Sequence, residues 1–224
     1  MQAIADICSS VCAAAQLILE LCGLQSLITL LNSSSATCQE HALKAITEVC
    51  NTGSSATQQV VELDGLQSLI ILLSSPSATC QEHAVKAISA ICSSAHNLRQ
   101  TLLELGGLQP LIKLLSSSSP SCQEQAVTTV ASICGSVLHA RQQVTAIGGL
   151  PPLIDLLASA SAICNKQATA TLASILESIH DVTQQVVNLS GLPPMVELLK
   201  CCDCQQQAMK ALAEILSTNQ DARQ

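Results

Sequence analysis

The 224-residue chain contains no phenylalanine, tryptophan or tyrosine. That absence removes the platforms on which single-stranded bases stack and the aromatic anchors that dominate many protein interfaces. It also leaves any core to be packed from Leu, Ile, Val, Ala and Cys. Charge is scarce as well. Only 11% of residues are Asp, Glu, Lys or Arg, against roughly 25% in ordinary soluble domains, so Ser, Thr and Gln must carry much of the solvation. With nine basic residues and a net charge of −7, the chain lacks the clustered Lys and Arg of a nucleic-acid footprint. Paired carboxylates, a phosphate-cradling glycine loop and a recurring Ser/His/Asp or Cys/His set are missing too. The sequence therefore offers no catalytic residues and no cofactor site, and a non-enzymatic role is expected.

What is present is repetition. Gly23, Gly65, Gly107, Gly149 and Gly191 lie 42 residues apart, and each opens a similar phrase: GLQSLITLL, GLQSLIILL, GLQPLIKLL, GLPPLIDLL, GLPPMVELL. A fixed period in this range marks stacked supersecondary units. Apolar residues make up 48% of the chain, enough for a continuous core. The period also explains the apolar N-terminus. AIADICSS at 3–10 matches AISAICSS at 87–94, and the segment has an Asp and no basic lead-in. It reads as the tail of a repeat, not as a signal peptide or membrane span, so no membrane association and a cytoplasmic location are expected.

Within one unit, 55–94, three helices are predicted. SATQQVVELDG forms a short helix with Gly65 at its left-handed C-terminal position. LQSLIILLSS forms a second, very apolar helix. In later copies Pro110, Pro151, Pro152, Pro193 and Pro194 fall in its first turn, where no intrahelical donor is lost. The third helix starts either at Pro76 after Ser75 or at a capping box, Thr79 to Glu82, repeated as Thr37 to Glu40 and Ser121 to Glu124. From there Cys80, Ala84, Ala87, Ile88 and Ile91 form a helical stripe.

A short helix and two longer ones per 42 residues, with glycine between the first two and alanines Ala42, Ala84, Ala126, Ala168 and Ala208 in the third, resembles the armadillo repeat over the whole chain. The resemblance implies an all-α armadillo-repeat α-solenoid, a right-handed superhelix. Residues 1–224 form one array: a partial repeat at 1–22, full repeats at 23–64, 65–106, 107–148 and 149–190, and a last repeat at 191–224. That last repeat is two residues short in its second loop, since Gly191 to Cys204 spans 13 residues where Gly149 to Cys164 spans 15.

Thirteen cysteines invite a metal or disulfide reading. Their phases oppose it. Cys38, Cys80, Cys122, Cys164 and Cys204 share one register of the third helix, and Cys8, Cys50, Cys92 and Cys134 another. The two registers are 12 residues apart, about 18 Å along a helix, while equivalents in adjacent repeats are separated by roughly 8–10 Å, too far for a disulfide. Cysteine here is expected to act as a small buried hydrophobe. Cys201, Cys202 and Cys204, crowded in the shortened loop, read as exposed, oxidisable thiols and not as a metal site, because no further ligand pair completes a set.

In the resembled family the third helices line a concave groove that holds an extended peptide. The resemblance places the lining on three positions counted from the alanine. Here they are His41, Lys44, Glu48; His83, Lys86, Ala90; Gln125, Thr128, Ser132; Gln167, Ala170, Ser174; and Gln207, Lys210, Glu214. Importin-α-like arrays carry Trp at the second position and Asn at the third, and β-catenin-like grooves are strongly basic; this chain matches neither. The expected partner is a protein or extended peptide, acidic if Lys44, Lys86 and the nearby histidines set the preference. Protonation of His41 and His83 in mild acid would add to it. The plainer expectation for the two lysines is pairing with Glu40 and Glu82 four residues earlier. An alternative overall reading is an engineered or excised array with no native ligand. Its ends, including Met209, Leu212, Ile215 and Leu216, would then stack head to tail between molecules.

Overall fold

Serines set the long helices. Ser35, Ser77, Ser119 and Ser161 lie in extended backbone, and each hydroxyl accepts the N–H three residues on, at Cys38, Cys80, Cys122 and Cys164. A capping oxygen of this kind satisfies a donor with no intrahelical partner. The computed structural model describes residues 23–221; the partial repeat at 1–22, with Cys8 and Cys12, lies outside them. Both predicted starts of the third helix are corrected by this geometry. Pro76 precedes the cap, and Thr79 is inside the first turn. The side chain four residues after three of the caps does different work: Gln39 donates to the carbonyls of Leu31 and Ser33, Gln81 to Ser75 and Gln123 to Leu115. These bonds close the loop between second and third helices.

The order of helices follows the period. They are α1 (Gly23–Leu31), α2 (Ala36–Asn51), α3 (Ser54–Glu62), α4 (Gly65–Leu72), α5 (Ala78–Ser94), α6 (His96–Glu104), α7 (Leu108–Leu114), α8 (Pro120–Ser136), α9 (Leu138–Ala146), α10 (Leu150–Asp155), α11 (Ala162–Ser178), α12 (Thr183–Asn188), α13 (Leu192–Leu198) and α14 (Gln205–Asp221). Short 3-10 turns at Leu156–Ala158 and His180–Val182 extend α10 and introduce α12. Pro151 and Pro152 stand in the first turn of α10, and Pro193 and Pro194 in that of α13, as the sequence predicts. Among the described residues there is no strand, and no helix is long and apolar enough to cross a membrane.

The periodic glycine has a different cause from the one expected. The left-handed residues are the ones before it: Asp64 (φ 59), Gly106 (φ 73), Gly148 (φ 77) and Ser190 (φ 57). The periodic glycine itself follows, in a space with no room for a side chain. A Cβ on Gly149 would lie 2.5 Å from Val144 Cγ1 and 2.8 Å from the Val144 carbonyl oxygen; one on Gly65 would lie 2.7 Å from the Val60 oxygen. The N–H of Gly149 donates to that same Val144 oxygen at 2.8 Å, and Gly148 donates to Thr145. This pair of bonds is the Schellman closure, and it draws the second helix tight against the first.

The described residues form two compact units, one ending at Gly107 and the other starting at Leu108. In the first, the long helices α2 and α5 pack side by side; in the second, α11 packs between α8 and α14. Ala42, Ala84, Ala126, Ala168 and Ala208 are fully buried in these helices, where a small side chain permits close approach. Leucine, isoleucine and valine fill the rest, with Leu43, Ile46, Ile88, Ile91, Leu111 and Leu172 inaccessible.

Seven of the described cysteines join that core: Cys50, Cys80, Cys92, Cys122, Cys134, Cys164 and Cys204, and none is in a disulfide. Burial pushes the thiols of Cys50, Cys92 and Cys134 up to about 12, with Arg99 and Arg141 opposing the shift at the last two. Two expectations need correction. Cys38 is exposed, unlike its equivalents Cys80, Cys122 and Cys164. Cys204 is buried and Cys201 half-buried, so in the shortened loop only Cys202 is an exposed thiol. Desolvation, then a hydrogen bond with Cys201, raises the Cys204 thiol.

Candidate functional site

A helix presents residues i, i+3 and i+7 on one face. The three positions predicted on each long helix obey that spacing, and each sits beside a fully buried alanine. His41, Lys44, Glu48 and Lys210 are exposed; His83, Lys86, Ala90, Gln125, Thr128, Ser132, Gln167, Ala170, Ser174, Gln207 and Glu214 are half-buried. None enters the core. In the first unit the backs of α2 and α5 are tied by Thr47, whose hydroxyl hydrogen-bonds the carbonyls of Leu43 (2.8 Å) and His83 (3.3 Å). The polar faces of the two helices thus run alongside one another. The same holds for α8, α11 and α14 in the second unit.

Charge on this face is largely consumed within the chain. Lys86 pairs with Glu82 at 2.6 Å, as expected from their spacing. The corresponding pair of Lys44 with Glu40 does not form. Glu40 instead accepts the hydroxyl of Ser77 at 2.9 Å, the cap of the next long helix. Glu124 accepts Ser161 in the same way at 2.5 Å. Lys210 on α14 pairs with Glu177 on α11 at 2.8 Å. Hydrogen bonding to Lys210, with its positive charge, holds the Glu177 carboxyl below the usual carboxylate range. Of the three lysines on the face, Lys44 alone has no carboxylate partner among the described residues.

Sequence reasoning overlooked these links between repeats, and also two arginines. The Nε of Arg99 donates to the Cys92 carbonyl and that of Arg141 to the Cys134 carbonyl, both at 2.6 Å; Arg141 also donates to Ser178 Oγ. Each guanidinium thereby closes the C-terminal end of a long helix, where a cation is favoured. Their 42-residue separation was the available signal. Near that end in the first unit, Cys50, Asn51, Gly53, Ser54, Ala90, Ser93 and Ser94 line an open cavity of about 410 Å³. Among the described residues no three His, Cys, Asp or Glu side chains converge on a point fit for a metal ion.

Residues 54–93 and 96–135 match the armadillo/β-catenin-like repeat family. No curated protein matches the chain. Solved structures do. A computationally designed set of armadillo repeat proteins for modular peptide recognition shares 29% identity, with a TM-score of 0.81 over 89% of this chain and 85% of the other. A designed armadillo repeat protein solved in complex with the peptide (KR)4 shares 28% identity, with a TM-score of 0.78 over 96% of this chain and 92% of that one. An engineered protein of 26% identity superimposes with a TM-score of 0.80 over 92% and 85% of the two chains.

Proposed function

We propose that this chain, which resembles armadillo repeat proteins in residues 54–93 and 96–135 and in its solved neighbours, is a non-enzymatic scaffold that binds an extended segment of another protein along the polar faces of its long helices. The observation that carries the reading is the recurrence of a solvent-accessible three-residue ladder beside an invariably buried alanine on all five long helices. Stacked helices about 10 Å apart and a strand rise near 3.3 Å per residue put two to three peptide residues against each repeat. A peptide bound to a similar designed chain supports this mode.

The pairing of Lys86 and Lys210 narrows the charge preference. An acidic residue in the partner is favoured only near Lys44, flanked by His41 and the half-buried His83. Over α8 and α11 the ladder offers amides, hydroxyls and one methyl group, and it suits an uncharged polar segment; on α14 it adds Gln207, Glu214 and the Lys210 that pairs with Glu177. The small Ala90 leaves space beside the 410 Å³ cavity, which receives a partner side chain. Neither residue set reproduces the Trp and Asn ladder of importin-α-like arrays, so a basic targeting peptide is not the expected ligand.

An immobilised peptide library probed with the chain tests the proposal. Hits are then titrated against Ala90→Arg and Ala170→Arg, which place a long side chain on the ladder of each unit, and against Gln142→Arg on an exposed turn of α9. Binding weakened tenfold or more by at least one ladder variant, and unchanged by Gln142→Arg, is the expected result. Hits that survive both ladder variants undiminished would refute the assignment. A second reading, an engineered array with no native ligand, is favoured by the likeness to engineered chains and predicts a library with no hits.

A further inference from the structure

The turn before α14 places two cysteines on one helix cap. Each of the four earlier long helices begins on a serine whose hydroxyl accepts the N–H of a cysteine three residues on, as Ser161 does from Cys164 at 3.4 Å. The serine carbonyl also takes the N–H four residues on, from Asn165 to Ser161 at 3.1 Å. In the shortened loop Cys201 holds the same station. Its carbonyl accepts the N–H of Gln205 at 2.9 Å and that of Cys204 at 3.1 Å. A turn closed in this way keeps its first and fourth Cα atoms within about 7 Å, and a disulfide bridges about 4.4–6.8 Å. Burial, and a hydrogen bond that the two thiols share, raise the Cys204 thiol. Cys204 is buried and Cys201 half-buried. That accessibility belongs to the cap position: Ser161, with a described repeat on either side, is half-buried as well.

We propose that Cys201 and Cys204 are a reversible thiol-modification site, which forms an intramolecular disulfide by exchange with a low-molecular-weight disulfide such as glutathione disulfide. Cys201, the more accessible of the pair, attacks as the thiolate. Its sulfur bonds to one sulfur of the reagent, the reagent's S–S bond breaks, and the first glutathione leaves with the proton that Cys201 released. Cys204 then gives up its proton and attacks the Cys201 sulfur; the mixed disulfide breaks and the second glutathione leaves with that proton. The two electrons and two protons lost by the cysteines reduce the reagent to two thiols. Cys202, exposed in the same turn, is not a member of the pair, because the cap joins positions 201 and 204. The other four described caps have serine in place of Cys201 and cannot complete the second step. The site is independent of the polar ladder, so its test needs no partner.

Incubation of the folded 224-residue chain in a glutathione redox buffer, followed by quenching with N-ethylmaleimide and tryptic mapping, tests the proposal. The peptide 201–210, released by cleavage after Lys200 and Lys210, holds all three thiols. It should lose two of its three labels to a bond between Cys201 and Cys204, with the remaining label on Cys202. Dithiothreitol added before the quench should restore all three. Cys202→Ser should keep the bond. Cys201→Ser, which returns the serine of the other caps, should abolish it with an unchanged helical circular dichroism spectrum. Cys204→Ser should abolish it too, and if that variant fails to fold, Cys201→Ser decides alone. A peptide that keeps all three labels overturns the proposal. So does a bond that includes Cys202, a glutathione adduct in place of the bond, or a bond that forms only after unfolding in urea.

Discussion

Replacing Gly149 with alanine tests whether the 42-residue beat reflects missing space. The new Cβ would stand 2.5 Å from Val144 Cγ1 and 2.8 Å from the Val144 carbonyl oxygen. Real contacts do not come that close, so the turn between α9 and α10 must open or Val144 must move. Overpacking of this order costs about 1–3 kcal/mol. Val144 is itself inaccessible to solvent, and Val144→Ala should cost roughly 2 kcal/mol for two lost methyl groups and the space they leave. In the double variant the Cγ1 contact is gone while the carbonyl contact remains. Its destabilisation should therefore fall short of the sum by about 0.5–2 kcal/mol.

Urea denaturation followed by circular dichroism gives all four corners of the cycle. Gly148→Ala provides the contrast. A Cβ there has nothing within 4 Å, but the backbone has φ 77, so the cost is about 1–2 kcal/mol of left-handed strain and should add independently to Val144→Ala. Additive behaviour of Gly149→Ala with Val144→Ala would refute the steric explanation. So would a Gly149→Ala variant as stable as the parent.

The remaining expectations concern the links around that turn. Asp64→Gly and Ser190→Gly, at φ 59 and 57, should each stabilise by up to about 1 kcal/mol, read as a raised urea midpoint. Ser77→Ala removes both an α5 cap and the partner of Glu40 and should cost about 1–2 kcal/mol; Glu40→Gln should cost less, and a reversed order would refute the shared role. Cys50, Cys92 and Cys134 keep their protons in the folded state to about 12 against an ordinary value of 9.0. Their contribution is thus complete below pH 9 and is lost as pH rises from 9 towards 12, by up to about 1.4 kcal/mol per pH unit for each thiol. Urea midpoints across that window should fall, and should fall less in a Cys50→Ala/Cys92→Ala/Cys134→Ala variant; equal slopes would count against the thiols.

Much of the fold was legible because it depends on local pattern repeated at fixed distance. Apolar spacing located each long helix, and prolines and glycine located the second. The starts of the third helices were misread for a local reason. Ser75 and Thr79 were the predicted starts and Ser77 between them also has a hydroxyl; Ser77 is the one that caps, and Gln81 fastens that loop to Ser75. The role of the periodic glycine was misassigned because a residue type reports two causes alike. Missing space and positive φ both select glycine, and only the coordinates separate Gly149 from Gly148.

The ladder shows the limit more sharply. Its positions are what the family resemblance implies, and helical spacing accounts only for their sharing one face beside the buried alanine. Its charge could not be read from the sequence. Glu40 and Lys44 are spaced like Glu82 and Lys86, yet Glu40 turns to Ser77, 37 residues away, and only the second pair forms. Lys210 finds Glu177 on the neighbouring helix, a pairing without any fixed offset in the repeat. A carboxylate that reaches the next repeat satisfies a cap and draws two long helices together, whereas an exposed i,i+4 pair contributes about 0.3–0.5 kcal/mol. Stacking thus competes with the groove for the same charges. In this chain stacking takes Glu40, Glu124 and Lys210, which is why, among the described residues, a ladder with three lysines presents one unpaired cation.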